Sequence, residues 1–283
     1  MKKYIFNIFL FIIISAKSIF AGGDNYPMGA RQAGMANSCV MLPGIWSVCH
    51  NQAGLTGLEK FTVGFHFHNE FLNERYGLKG IAIGIPTSKY GVLGTSLAYL
   101  GNPTYNETKA GLAYAKSFGD YFSVGIQMDY FNIHQSYEYI NNSGAVAVEI
   151  GLISEPAENF FIGAHAFNFT QSDIPDLPGE KLPTILRFGL GYLFAETVFV
   201  SVETEKDMDY SPVFKAGTEI KFREDLFLRT GISTSDPTVI AFGVGYAIEG
   251  IKADIAFITH PQLGLIPHFS MQYELGIRSK KEE

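Results

Sequence analysis

The chain has 283 residues, of which 47% are hydrophobic, 14% aromatic and only 17% charged, whereas a soluble domain carries about 25% charge. Its net charge of −7 offers no basic surface for nucleic acid. Past the first residues, no stretch reaches the roughly 18 consecutive apolar residues of a membrane helix, so helical spans are excluded.

Residues 1–21 read as a secretory signal peptide. Lys2 and Lys3 precede an apolar run over 4–14, broken only by Asn7, and small residues lead to a cleavage site after Ala21. No Cys follows that site, which argues against a lipoprotein, and the mature chain is expected to begin at Gly22. Residues 22–58 read as a small N-terminal plug. Two short, weakly helical pieces at 29–35 and 45–49 are joined by Pro and Gly and followed by Asn51-Gln52-Ala53-Gly54-Leu55. Cys39 and Cys49 lie in this region. In an oxidising periplasm they could close a disulfide, or they could stay free thiols against a wall, because sequence does not set the Cα separation a bridge needs.

From 59 onward the text changes to segments that alternate in polarity every second residue. They fall at 59–71, 76–87, 91–101, 105–119, 121–136, 145–157, 159–170, 183–195, 197–207, 211–224, 226–235, 239–250, 251–260 and 266–278. Each is long enough for a tilted strand to cross a bilayer, which takes roughly 9–11 residues. The expected fold is all-β: a transmembrane antiparallel up-and-down β-barrel of about 14 strands over 59–278, with a charged tail at 279–283. Boundary uncertainty of about 2–4 residues leaves 12 strands open.

In 121–136, Phe122, Val124, Ile126, Met128 and Tyr130 oppose Ser123, Gly125, Gln127 and Asp129. In 239–250, Ile240, Phe242, Val244, Tyr246 and Ile248 oppose Gly243, Gly245 and Glu249; 183–195 and 266–278 repeat the pattern around Phe188 and Phe269. Side chains alternate across a strand, so one face can meet lipid and the other a polar interior. A soluble sandwich would carry Lys and Glu on its polar face. Here that face is Gly, Ser and Ala with isolated charges, which suits a cramped lumen. Tight connections at 118–120, 155–159 and 223–225 alternate with longer polar ones at 69–75, 141–144 and 171–182, the last broken by Pro175 and Pro178.

The inward charges form the expected lumen network: Asp129, Glu149, Arg187, Glu203, Lys215, Glu219, Lys221, Arg229, Lys252 and Asp254. Both signs in one narrow interior predict cross-lumen pairing and a stoppered barrel, since open general porins use 16 or more strands. His66 and His68 share a strand face, but no third His or carboxylate sits at a metal-site spacing, so a polar lumen pair is expected. With no Gly-x-Ser-x-Gly elbow and no phosphate-binding glycine loop, neither an enzyme nor a cofactor is expected.

The run Gly29-Ala30-Arg31-Gln32-Ala33-Gly34-Met35, then Asn51-Gln52-Ala53-Gly54-Leu55, resembles the plug of PorV/PorQ-type outer-membrane barrels, which share the fold of FadL-type long-chain fatty-acid transporters. Phe214-Lys215-Ala216-Gly217-Thr218-Glu219, Leu228-Arg229-Thr230-Gly231, Phe242-Gly243-Val244-Gly245 and His260-Pro261-Gln262-Leu263-Gly264 resemble that group's closing strands in order. Gln52 departs from the group's Asn-Pro-Ala-Gly, where a Pro would fix the start of a helix. The resemblance implies 14 strands around a plug, with Arg31, Trp46, Asn51, Gln52 and Leu55 as its marked positions. It implies roles from moving hydrophobic molecules to type IX protein secretion, and partners among outer-membrane lipid, another outer-membrane or secreted protein, or a small hydrophobic ligand. A non-catalytic accessory barrel is expected first. The alternative is a FadL-like conduit, which predicts an apolar pocket between plug and wall and a gap or kink in the barrel side.

Overall fold

In a computed structural model, the structure describes residues 25–69, 77–87, 89–119, 121–136, 142–174, 181–261 and 264–276. The expected leader, the first plug residues to 24 and the charged tail lie outside them.

Fourteen strands form one closed antiparallel barrel in which chain neighbours pair throughout. The first seven are β1 (Phe61–Asn69), β2 (Gly77–Thr87), β3 (Gly91–Gly101), β4 (Tyr105–Ser117), β5 (Phe122–Gln135), β6 (Ser143–Ala157) and β7 (Phe160–Phe167). The second seven are β8 (Ile185–Phe194), β9 (Val198–Asp207), β10 (Val213–Lys221), β11 (Leu226–Ser233), β12 (Val239–Ile248), β13 (Ile251–His260) and β14 (Gly264–Leu275). Closure comes from β1 pairing with β14, in register from Phe61 opposite Leu275 to His68 opposite His268. The ring of strands therefore has no open edge, the condition that a barrel spanning a bilayer would have to meet.

The two-residue rhythm sorts the faces as the sequence predicts. Phe122, Phe188, Phe242 and Phe269 point outward and are 39–48% exposed, while Asp129 and Glu149 on the inner face are fully buried. One end of the barrel carries tight turns, at 158–159, 195–197 and 249–250 among others; the opposite end carries the longer connections, including 168–184. The 155–157 stretch, read both as the end of segment 145–157 and as part of a tight connection, belongs to β6. An extra residue at Glu155-Pro156 bulges there, between the pairs Ser154–Ile162 and Ala157–Phe160. A proline cannot donate to a ladder, so a bulge is where a strand tolerates it.

The core lies inside the barrel. Helix α1 (Ala30–Gly34) packs against β11 to β14, a first 3-10 turn (Ile45–Cys49) against β1 to β3, and a second (Gln52–Gly57) against β3 to β6. Inner-face glycines make room for it. A Cβ on Gly64 would stand 2.9 Å from the Trp46 ring, on Gly125 2.4 Å from the Ala53 nitrogen, and on Gly163 2.5 Å from the Val40 carbonyl. Towards the long-loop end the lumen is filled by Tyr26, Met28, Leu78, Phe131, Ile133 and Phe167. Ile174 and Leu182, from the 168–184 connection, fold into the same cluster. Asn168 fastens this connection by donating to the Leu182 carbonyl at 2.9 Å and accepting from the Ser172 amide at 3.1 Å.

Of the two alternatives left open for Cys39 and Cys49, this structure has both as buried free thiols. Cys39 packs with Met35, Val40 and Met41, while Cys49 packs with Trp46, Val48 and Leu55. The ten-residue spacing winds them into different clusters of the plug.

Candidate functional site

Strand parity aims carboxylates at the plug, and the plug answers with backbone amides and cations. Glu203 on β9 accepts from the Cys39 and Val40 amides at 2.7 and 2.8 Å. Glu219 on β10 takes both Nε and Nη2 of Arg31, at 2.8 and 2.7 Å, and Nε of Arg229 at 2.5 Å. Arg229 continues to Asp254 at 2.7 Å. Such charge-assisted, forked pairs fix orientation as well as attraction. Ser270 on β14 accepts from the Ala30 amide at 2.9 Å, serving one of the unpaired donors at the start of α1.

The opposite side of the plug is held by a buried carboxylate with three donors. Glu149 accepts from Lys109 at 2.9 Å, Gln52 at 2.5 Å and His165 at 2.9 Å. Lys109 also donates to Asn25 at 3.0 Å and lies 3.4 Å from Asp129, which accepts from Gln127 at 2.8 Å. Asn51 reaches the carbonyls of Val40, Leu152 and Ala164 at 2.7–3.2 Å, tying the plug to itself and to two wall strands. Gln52 therefore has a task that a Pro could not perform. Within the plug, burial pushes His50 down to about 3, so its neutral ring bonds the Met28 carbonyl at 2.8 Å. Burial likewise pushes the Cys49 thiol up to about 12.

Of the charges expected in the lumen, Asp129, Glu149, Arg187, Glu203, Glu219, Arg229 and Asp254 are buried there, and Lys215 is partly so, bonded to Glu205 at 2.7 Å. Arg187 pairs with Glu205 as well, at 2.7 Å. Two of the expected charges lie at the rim. Lys252 is half-exposed at the tight-turn mouth, where it pairs with Glu274 at 2.8 Å, and Lys221 is exposed at the end of β10. Both sit near a strand end, where they border the inner cavities. Sequence reasoning missed Lys109, His165 and Glu205, although each shares inner-face parity with a residue already singled out or with a neighbouring glycine. It also discounted His66 and His68 for want of a third ligand, yet closure sets His268 opposite His68.

Two cavities adjoin at the tight-turn end. One, of about 230 Å³, lies between plug residues Met41, Leu42 and Pro43 and wall residues Phe161, Leu193, Phe199 and Phe227, with Arg31, Glu196, Glu219 and Lys221 around it. The other, also about 230 Å³, is more polar and is lined by Arg31, Gln32, Trp46, Arg229, Lys252 and Gln272 among others. Phe161 stands opposite the β6 bulge, so the apolar cavity abuts the one register shift among the described ladders. A third hollow of about 390 Å³ is a groove on the outer face of the barrel between Phe188, Val202, Phe214 and Ile232. The ladders β8–β9, β9–β10 and β10–β11 run unbroken beneath it, so it is not a gap in the wall.

No protein-family model matches this chain, and no curated relative does. Solved structures do. The toluene transporter TbuX of Ralstonia pickettii superposes with a TM-score of 0.68 at 12% identity, covering 88% of this chain and 98% of that one. A Pseudomonas aeruginosa FadL homologue gives 0.63 at 11%, covering 90% and 100%. The P. putida toluene transporter TodX gives 0.60 at 11%, covering 89% and 99%. At this identity the likeness establishes the fold, a FadL-like 14-strand barrel. It does not distinguish a PorV/PorQ type.

Proposed function

We propose that this protein is an outer-membrane conduit for small hydrophobic molecules, held on their way in the cavity between Met41–Pro43 and the wall. That cavity is the observation that carries the reading: it is largely apolar, formed jointly by plug and barrel, and next to the β6 bulge. Its volume suits one compact ring or a short chain, because a cavity of about 150 Å³ already accepts benzene. Short turns face the periplasm in such barrels, which puts the cavity at the inner mouth. The neighbours of the same fold, described as toluene transporters, favour this reading over the accessory barrel that the sequence suggested first.

The test is uptake of toluene by cells that carry or lack the protein, with a Leu193→Trp variant that fills the cavity. The variant is expected to lower protein-dependent uptake about tenfold, equivalent to about 1.4 kcal/mol of lost interaction, with unchanged barrel migration on gels. Equal uptake with and without the protein would sink the proposal. A second reading, a closed accessory barrel that binds another outer-membrane or secreted protein, is favoured by the ion-paired and apolar filling of the lumen. It predicts a defined protein neighbour on crosslinking in intact cells and no change in uptake when the protein is removed.

A further inference from the structure

We propose that His66, His68 and His268 form a binding site for a divalent transition metal of the zinc type at the β1–β14 seam. His66 and His68 are two apart on β1 and so share its inner face, and His268 is the register partner of His68 on β14. One nitrogen from each ring lies within 4.8 Å of the other two, and all three residues are buried. The ring centroids are 5.3 Å apart for His66 and His68, 5.7 Å for His66 and His268, and 4.4 Å for His68 and His268.

The hydrogen bonding leaves this cluster unexplained as mere packing. His66 Nδ1 accepts from the Gly29 amide at 3.2 Å, and His66 Nε2 lies 3.1 Å from His68 Nδ1. His268, only 6% exposed, has neither ring nitrogen bonded among the described residues. Leaving a buried polar atom unsatisfied is costly, and here two sit on one ring. Three imidazoles without a carboxylate in the group make a neutral, nitrogen-only donor set, which zinc, copper and nickel favour over magnesium or calcium.

Ligands at about 2.1 Å around a tetrahedral zinc stand roughly 3.4 Å apart, so modest side-chain rotation draws the set together. Each ring keeps its single proton, on the nitrogen turned away from the metal. For His66 bound through Nε2 that nitrogen is Nδ1, so the Gly29 amide loses its acceptor. Gly29 is the residue just before α1, and metal loading is thereby linked to the start of that helix. A fourth position is left for water or a small anion.

The test uses the full-length protein in detergent, purified without a histidine tag and stripped with chelator. Zinc is titrated alone with metal counted per chain, and cobalt is used for its visible spectrum. One equivalent is expected, with a tetrahedral-type cobalt band, and His268→Gln is expected to weaken binding at least about 100-fold. Absence of binding at micromolar zinc by the folded protein overturns the proposal, as does binding left intact by His268→Gln. Should that variant fail to fold, X-ray absorption on the zinc-loaded wild type decides. A first shell with three imidazole nitrogens supports the site, and one dominated by carboxylate oxygen or sulfur overturns it.

Discussion

Lys109 shows what a single side chain can hold in this lumen. It is 4% exposed, and its ammonium faces Glu149, Asp129 and Asn25 together. Its stem runs beside Phe131 and Phe167, whose rings lie 5.4 and 4.8 Å from Nζ. Removing one partner of a buried ion pair costs about 3–5 kcal/mol, because the remaining charge has no solvent to turn to. Lys109→Met strands two carboxylates and is expected to lower resistance to unfolding by about that amount, read as a lower denaturant midpoint of barrel migration. An unchanged midpoint would show that the network is not load-carrying for the fold. Inner-face parity within 105–119 marks Lys109, but parity alone does not name its partners. Glu149 and Asp129 come from two other segments, and only their register puts them within reach.

At the scale of elements, the plug and the wall are fitted to each other by small residues. The sequence displays glycines at every second position of several strands, which reads as relief of crowding. The structure supplies the object that would crowd them. Gly151 faces the Asn51 side chain and Gly231 the backbone at Met35–Ala36, while Gly125 faces the backbone at Gln52–Ala53. A backbone cannot rotate aside as a side chain can, so Gly125→Leu is expected to expel the second 3-10 turn. Limited proteolysis should then cut within 45–58 in the variant and not in the wild type, while the barrel still migrates as a folded species. Continued protection of that segment would mean that the wall gives way instead. The plug's two helical pieces were visible in sequence because Gly and Pro punctuate them. Their seats against particular strands were not, since short polar turns can dock by many routes.

Taken whole, the molecule is a closed ring of hydrogen bonds around a filled centre, with β1 and β14 sealing the first described strand to the last. Opening such a ring leaves a row of backbone groups without partners, so unfolding is expected to be slow and governed by its barrier. The checkable outcome is heat-modifiable migration: unheated protein in mild detergent should run as a compact species and shift on boiling. Identical migration before and after boiling would contradict a sealed barrel. What the sequence determined by itself was the class, a strand count of about 14 that left 12 open, and the alternation of faces along each strand, because a period of two is a local property of an extended chain. What only tertiary structure decided was which residues meet: the carboxylates that hold the plug, the apolar cavity behind Met41–Pro43, and the third histidine, 200 residues away along the chain from the second. Those depend on shear and closure, and no local periodicity encodes them.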